Sequence, residues 1–193
     1  MSDFLPQGYK VPDKPSDYMK FPEGSHKFRI LSSPTLGWEV WAEGEDGKRT
    51  VKRVPYEAEH PQSAKHFWAM VVYNYELKRI QLLSINQSTL QESLKALAMN
   101  EDWGSPLAYD ITVVRTGKTM NDTKYSLTPS PQKPLLEEVK AAFDKVTVTM
   151  DAWMNGGEPF AKDKTETSSI EDFPNNEEAD ETLEDEEVDV KKN

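Results

Sequence analysis

Residues 66–75 read HFWAMVVYNY and residues 79–85 read RIQLLSI. Two segments this rich in β-branched and aromatic side chains, three residues apart, predict a β-hairpin and commit the chain to a sheet. A second hairpin precedes it, because Asp46-Gly47 tolerates the positive φ of a tight primed turn and would pair residues 38–42 with 49–54. Upstream, residues 26–31 and 36–41 alternate partly in polarity, and the Ser33-Pro34 break between them marks where one long strand bends between two sheet halves. On strand alternation, Phe67, Ala69, Val71, Tyr73 and Tyr75 share one face of the central segment and His66, Trp68, Met70, Val72 and Asn74 the other. Nothing in the pattern says which face is covered.

Ser88-Thr89-Leu90-Gln91 reads as a capping box that opens a helix, with Leu90, Leu94, Leu97 and Ala98 on one face. Residues 109–115 (YDITVVR) and 123–128 (TKYSLT) then close the β set around the loop 116–122. Beyond Pro131 a second helix is expected from Pro134, its stripe formed by Leu136, Val139, Phe143, Val146 and Met150, ending before Gly156-Gly157. A helix inserted after the first strands, with more strands after it, predicts a mainly β fold. The form expected is a five-stranded OB-type barrel with one inserted helix, a C-terminal helix and a disordered acidic tail. A mixed α+β sheet is the alternative. The corresponding divisions are an extended, proline-punctuated N-terminal arm (1–25), the barrel (26–131), the C-terminal helix (132–157) and the tail (158–193).

Charge is segregated along the chain. The formal net charge is −11, but residues 171–193 alone hold 11 acids against Lys191 and Lys192, whereas residues 20–133 hold 15 bases against 13 acids. The acidity therefore belongs to the tail, with Glu177, Glu178, Asp180, Glu181, Glu184, Asp185, Glu186 and Glu187 at its centre, and says little about the partner of the core. A tail of this composition has too few large apolar residues to offset chain entropy. It reads either as a solubilising appendage or as an interaction segment. No apolar run suits a membrane span, the first residues lack the pattern of a signal peptide, and there is no cysteine, so a cytoplasmic protein is expected.

Motifs for catalysis are missing: the chain has no GxxxxGKS/T, HExxH or GxSxG, and its Gly117-Lys118-Thr119 precedes a strand rather than a helix. His26, His60 and His66 have neither cysteine partners nor metal-ligand spacing, so no metal or other cofactor is expected. What remains is aromatic residues interleaved with bases. Four of the 5 tryptophans lie between positions 38 and 103. Single-stranded nucleic acid asks for this pairing, because cations track phosphates while flat rings stack on exposed bases. Arg29, Lys52, Arg53, Arg115, Lys118 and Lys124 are the expected phosphate contacts, and Trp38, Trp41, Trp68, Tyr73 and Tyr75 the stacking candidates. The competing reading of each ring is a core side chain.

Several segments, in order, carry a resemblance: residues 27–32 (KFRILS), 37–41 (GWEVW), 67–75 (FWAMVVYNY), 85–94 (INQSTLQESL), 102–104 (DWG) and 109–117 (YDITVVRTG). Over residues 20–130 the chain resembles the OB-fold single-stranded-DNA-binding proteins of tailed phages and prophages. The resemblance implies a replication and recombination protein, working in a bacterial host cytoplasm, with an acidic disordered C-terminus that recruits partner proteins. The chain departs from many bacterial proteins of that function, which end in acids and a hydrophobic dipeptide, by ending Lys191-Lys192-Asn193; without cysteine it also cannot hold the zinc element of some phage members. The function expected is therefore sequence-independent, non-catalytic binding of single-stranded DNA, with a tail that competes with DNA and then engages replication or recombination proteins. The rivals are an acidic protein-interaction or DNA-mimic module and a nuclease.

Overall fold

The computed structural model describes residues 16–43, 49–119 and 122–161. The first part of the arm, the Asp46-Gly47 turn and the acidic tail with all eight of its named carboxylates lie outside these residues. Seven strands are described: β1 (Gly24–Ile30), β2 (Thr35–Glu43), β3 (Arg49–Pro55), β4 (Lys65–Asn74), β5 (Arg79–Ile85), β6 (Asp110–Thr116) and β7 (Lys124–Pro129). Helix α1 (Ser88–Ala98) joins β5 to β6 through a 3-10 turn at Pro106–Ala108, and α2 (Glu137–Asp144) and α3 (Met150–Met154) follow β7. All strand pairs are antiparallel, in the order β3-β2-β4-β1-β6-β7 with β5 on the other edge of β4. The fold is mainly β, as expected, and both hairpins form: Trp38 pairs with Val54, and Tyr73 with Ile80.

β4 organises the sheet. One of its edges is filled by β5; along the other, Lys65 to Ala69 pair with β2 and Val72 to Asn74 with β1. Where the long strand bends, β4 would lose its partner, and Leu31 and Ser32 repair the gap: Leu31 N donates to Val71 O, and Val71 N donates to Ser32 Oγ at 2.9 Å. Both faces of β4 are buried. Met70 and Val72 join Phe28, Ile30, Leu83, Ile85, Leu90, Leu94 and Ile111 in the main core. On the reverse face, Trp153 of α3 packs edge-on against Phe67 at 5.4 Å, and Val139 of α2 packs with Val71, Tyr73 and Ile80. A strand buried on both sides shows a near-continuous apolar run, which is why its sequence could not announce a covered face.

Four expectations are corrected. The sheet is one open, seven-stranded sheet and not a closed five-stranded barrel: β5 pairs with β4 and β7 with β6, with no β5–β7 pairing. Residues of the arm take the outer edge of β5, since Leu82 N donates to Asp17 O and Met19 N to Leu82 O, and α1 buries Leu90 and Leu94 in the core that Leu127 of β7 also meets. The single C-terminal helix is instead two short ones. Thr147-Val148-Thr149 is β-branched and disfavours helix, and here Val148 forms a bridge with Phe160 while Thr149 N donates to Pro159 O. The capping box at Ser88 does not form: Gln87 is the N-cap, without a side-chain bond, and Gln91 Nε2 instead donates to Ile85 O and His66 O. Ala98, expected on the core face, is exposed. No helix among the described residues is long and apolar enough to cross a membrane.

Asp110, fully buried at the start of β6, collects the charges of the reverse face. Arg29 Nη1 lies 3.3 Å from Oδ1, Lys27 Nζ 3.1 Å and Lys133 Nζ 2.6 Å from Oδ2, and Tyr75 Oη donates to Oδ1 at 2.8 Å. Burial alone would raise the carboxyl pKa, but bonds from Lys133, Tyr75 and Lys27 outweigh it and hold it below the ordinary 3.8. The Tyr75 phenol is pushed up by burial and by its bond to the same carboxylate. Because the folded state binds the Asp110 proton less readily than the unfolded chain, this stability is full above the unfolded value and is lost as pH falls below it. Asp110→Asn leaves Arg29 buried without its counter-charge and should cost about 3 kcal/mol at pH 7. The variant should also lose less stability than the parent between pH 5 and pH 3, as read by urea unfolding.

Candidate nucleic-acid interface

The register of β2, β3 and β4 decides which candidate residues meet. Trp38 lies opposite Val54 on β3 and His66 on β4, and Lys52 opposite Val40, so Leu36, Trp38, Lys52, His66 and Trp68 share one face. Rings gather there. Trp38 stacks on His60 with centroids 3.8 Å apart and planes inclined 23°, and runs nearly parallel to Tyr56 at 6.2 Å and 10°. Its indole Nε1 donates to Tyr56 O at 3.1 Å, which fixes the loop after β3 against the sheet. His66 tilts against both Trp38 and Tyr56 at 4.8 and 5.4 Å.

His66 ties the two tryptophans together. An indole N–H can only donate, so the 3.1 Å contact from Trp68 Nε1 makes His66 Nε2 the acceptor, and His66 Nδ1, 2.9 Å from Gly37 O, carries the proton. Gly37 has no room for a side chain, since a Cβ would come within 2.5 Å of Val54 O and 2.7 Å of Phe67 Cζ. The cluster has open surface as well as packing: Tyr56 is 50% exposed, His60 is exposed, and Lys52 stands exposed beside it. Glu57 and Glu59 in the same loop are exposed too and limit how basic the patch is.

The other candidates lie elsewhere. Trp41 is 55% exposed and Arg53 half-buried, both on the opposite face of the β2–β3 hairpin, so Trp38 and Trp41 cannot serve one strand side by side. Arg53 is occupied by α3: its guanidinium lies 3.9 Å over the Trp153 ring, Nη1 donates to Trp153 O, and Nε meets Glu39 Oε1 at 3.4 Å. Arg29 is buried on Asp110 and also donates to Leu107 O and Lys133 O. Tyr73 is buried under α2, and Tyr75 is held by Asp110. Arg115 donates to Phe21 O and Thr123 Oγ1.

Lys118 and Lys124 are exposed, but at the other end of the sheet. The β6–β7 loop adjoins Gly24, which pairs with Arg115, beyond the Phe28–Asn74 pair at the end of β4, whereas Trp38 faces His66 at the beginning of β4. At about 3.3 Å per residue the length of that strand separates them. Of the eleven candidates, then, Trp38, Lys52 and Trp68 come together. Tyr56, His60 and His66 join them as ring partners that the sequence does not single out: strand register brings His66 opposite Trp38, while the fold of the loop after β3 brings Tyr56 and His60 onto the Trp38 ring.

No group of histidine, cysteine, aspartate or glutamate side chains suited to a metal ion is found among the described residues. No family model, curated protein or solved structure matches the chain.

His66→Ala removes two side-chain bonds and one wall of the cluster. It should cost about 1–2 kcal/mol in urea unfolding and reduce the near-ultraviolet circular dichroism of the tryptophans, while His60→Ala, at an exposed position, should leave stability within about 0.5 kcal/mol.

Proposed function

We propose that this protein binds single-stranded DNA without sequence preference and without catalysis, on the face of β2, β3 and β4 that carries Trp38, Tyr56, His60, His66 and Trp68. The observation that carries the reading is the stacked ring cluster with open Tyr56 and His60 surfaces, because an unpaired base offers a π face to such a platform whatever its identity. Lys52 supplies a phosphate contact at its side. Topology supports the same reading. The antiparallel pairings β5–β4, β4–β1, β1–β6 and β6–β7, with a helix between β5 and β6 and a first strand bent at Ser33-Pro34, correspond to an OB-type Greek key left open at one seam, to which β3 is added as a hairpin.

Full-length protein should shift a labelled (dT)20 oligonucleotide at concentrations at which a duplex of the same length is not shifted. The log of the affinity should fall with the log of salt by about 0.7 per phosphate neutralised. Trp38→Ala should weaken binding about tenfold with that slope unchanged, whereas Lys52→Ala should lower the slope by about 0.7. A shift equal for duplex and single strand would refute the reading, as would loss of the labelled strand by cleavage in Mg²⁺; an acidic interaction or DNA-mimic module would shift neither form.

The acidic run 171–189 is proposed as an internal competitor and as the segment that recruits replication or recombination proteins once DNA displaces it. A net charge of −9 over residues 171–193, tethered to the core, supplies a high local concentration of carboxylates to the cations that meet phosphates. Truncation after Thr167 should tighten single-strand binding at low salt and converge with the full chain above about 0.3 M, where screening is strong. Equal affinities at low salt would reduce the tail to a solubility element.

A further inference from the structure

Two parts of the surface outside the ring cluster are open to a partner. One is a half-open apolar cavity of about 190 Å³ beside Trp68 and Leu94, where the chain turns away at Ser33-Pro34. The other is the reverse face of β1, β6 and β7, and charge singles it out. Lys27 pairs with Thr112 and Ser25 with Val114, while Thr112, Val114 and Thr116 pair with Thr128, Ser126 and Lys124, so these side chains share the face that carries Arg29 and Asp110. The helices after β7 pack against β4 and β5 instead, and Ser25, Lys27, Lys124, Ser126 and Thr128 are exposed.

Cations outnumber carboxylates on this face. The ammonium groups of Lys27 and Lys133 lie 3.1 and 2.6 Å from the same Asp110 oxygen, and 5.4 and 5.7 Å from the centroid of the Tyr75 ring. The two charges are therefore no more than about 6 Å apart, where they repel each other and attract an oxyanion set between them. Arg29 takes the other Asp110 oxygen, so three cations share one negative charge. Each ammonium has three donors and spends one on Asp110, and the two side chains are 46% and 38% exposed, which leaves donors for a ligand. Lys124 adds a further cation, about 13 Å along β7 from Thr128. Asp110 is the one acid that β1, β6 and β7 place on this face. Of the acids in the flanking segments, Glu137 is bonded to Lys140, Glu76 lies 3.6 Å from His26, and Glu138 lies near Tyr73.

A small oxyanion would answer the Lys27 and Lys133 pair and leave Lys124 unused. A chain of phosphates answers all three, with the hydroxyls of Ser25, Thr112, Ser126 and Thr128 as further donors to its oxygens. A protein partner asks for apolar anchors at the centre of its interface, and Val114 is the one apolar side chain that these strands present on this face. We propose that the reverse face of β1, β6 and β7 is a second contact surface for the DNA strand, one that holds phosphates and no bases, with Lys27 and Lys133 clamping one phosphate and Lys124 meeting another. This deepens the single-strand reading and rests on it. Three cations alone make a weak site, but a strand already stacked on the Trp38 cluster is supplied to them at high effective concentration.

The test uses the full-length protein and (dT)40. Ser126→Glu places a negative charge among the lysines, at an exposed position away from Asp110. It should weaken binding about threefold at about 50 mM salt, with the loss fading above about 0.3 M, whereas Ser126→Gln should bind like the parent. Lys27→Gln should lower the salt slope by about 0.7. Melting curves show that each variant is folded. If the parent binds (dT)40 and both Ser126→Glu and Lys27→Gln bind it with parental affinity and slope, no phosphate is held here, and the proposal is overturned while the single-strand reading stands. It is also overturned if Ser126→Glu releases labelled polyglutamate but not (dT)40, which assigns the face to an acidic protein. The same holds if inorganic phosphate at constant ionic strength stabilises the parent but not Lys27→Gln while (dT)40 binds both alike, which assigns the face to a small anion. Failure of the parent to bind (dT)40 would overturn both readings.

Discussion

The structure depends on one strand. β4 spends both edges and both faces: β5 lines one edge, β2 and β1 divide the other, the main core lies on one side and the helices after β7 on the other. Because two strands must share one edge, the chain between them has to leave the sheet at residues 31–34, and the ladder is kept intact there by Ser32 and Leu31. The same departure opens the cavity beside Trp68.

The reverse face shows how a surface that sequence marks as functional can be consumed by folding. Tyr73, Tyr75, Arg29 and Arg53 look like ring and phosphate contacts, yet Val139 and Trp153 cover the sheet there, Asp110 gathers Arg29 and Tyr75, and Arg53 clamps α3 through its guanidinium. Removing a polar partner from such a network leaves a buried charge unpaired, so these residues bear on stability before anything else. The opposite face, with Trp38, Tyr56 and His60, keeps rings at the surface.

Much of the fold was legible because it rests on local signals. The two hairpins follow from β-rich runs joined by short turns, and α1 from its apolar stripe. What escaped depends on distant partners. The Arg29–Asp110 pair spans 81 residues, and the arm that occupies the β5 edge meets Leu82 from residues 17 and 19. The capping box failed because Gln91 finds better acceptors in Ile85 and His66, a choice only tertiary contact can make. Of the candidate site, Trp38 and Trp68 were visible as rings, but the face they share was not, since alternation fixes which residues are alike and not which side is open.

The central claim is that bases stack on the rings around Trp38, and it is tested most directly by intrinsic tryptophan fluorescence on titration with two strands of equal length. Oligothymidylate should quench the emission to a saturating end point, whereas an abasic strand with the same phosphates should bind through charge alone and leave the emission near its starting value. Equal quenching by both strands, or tight oligothymidylate binding with no quenching, would contradict it.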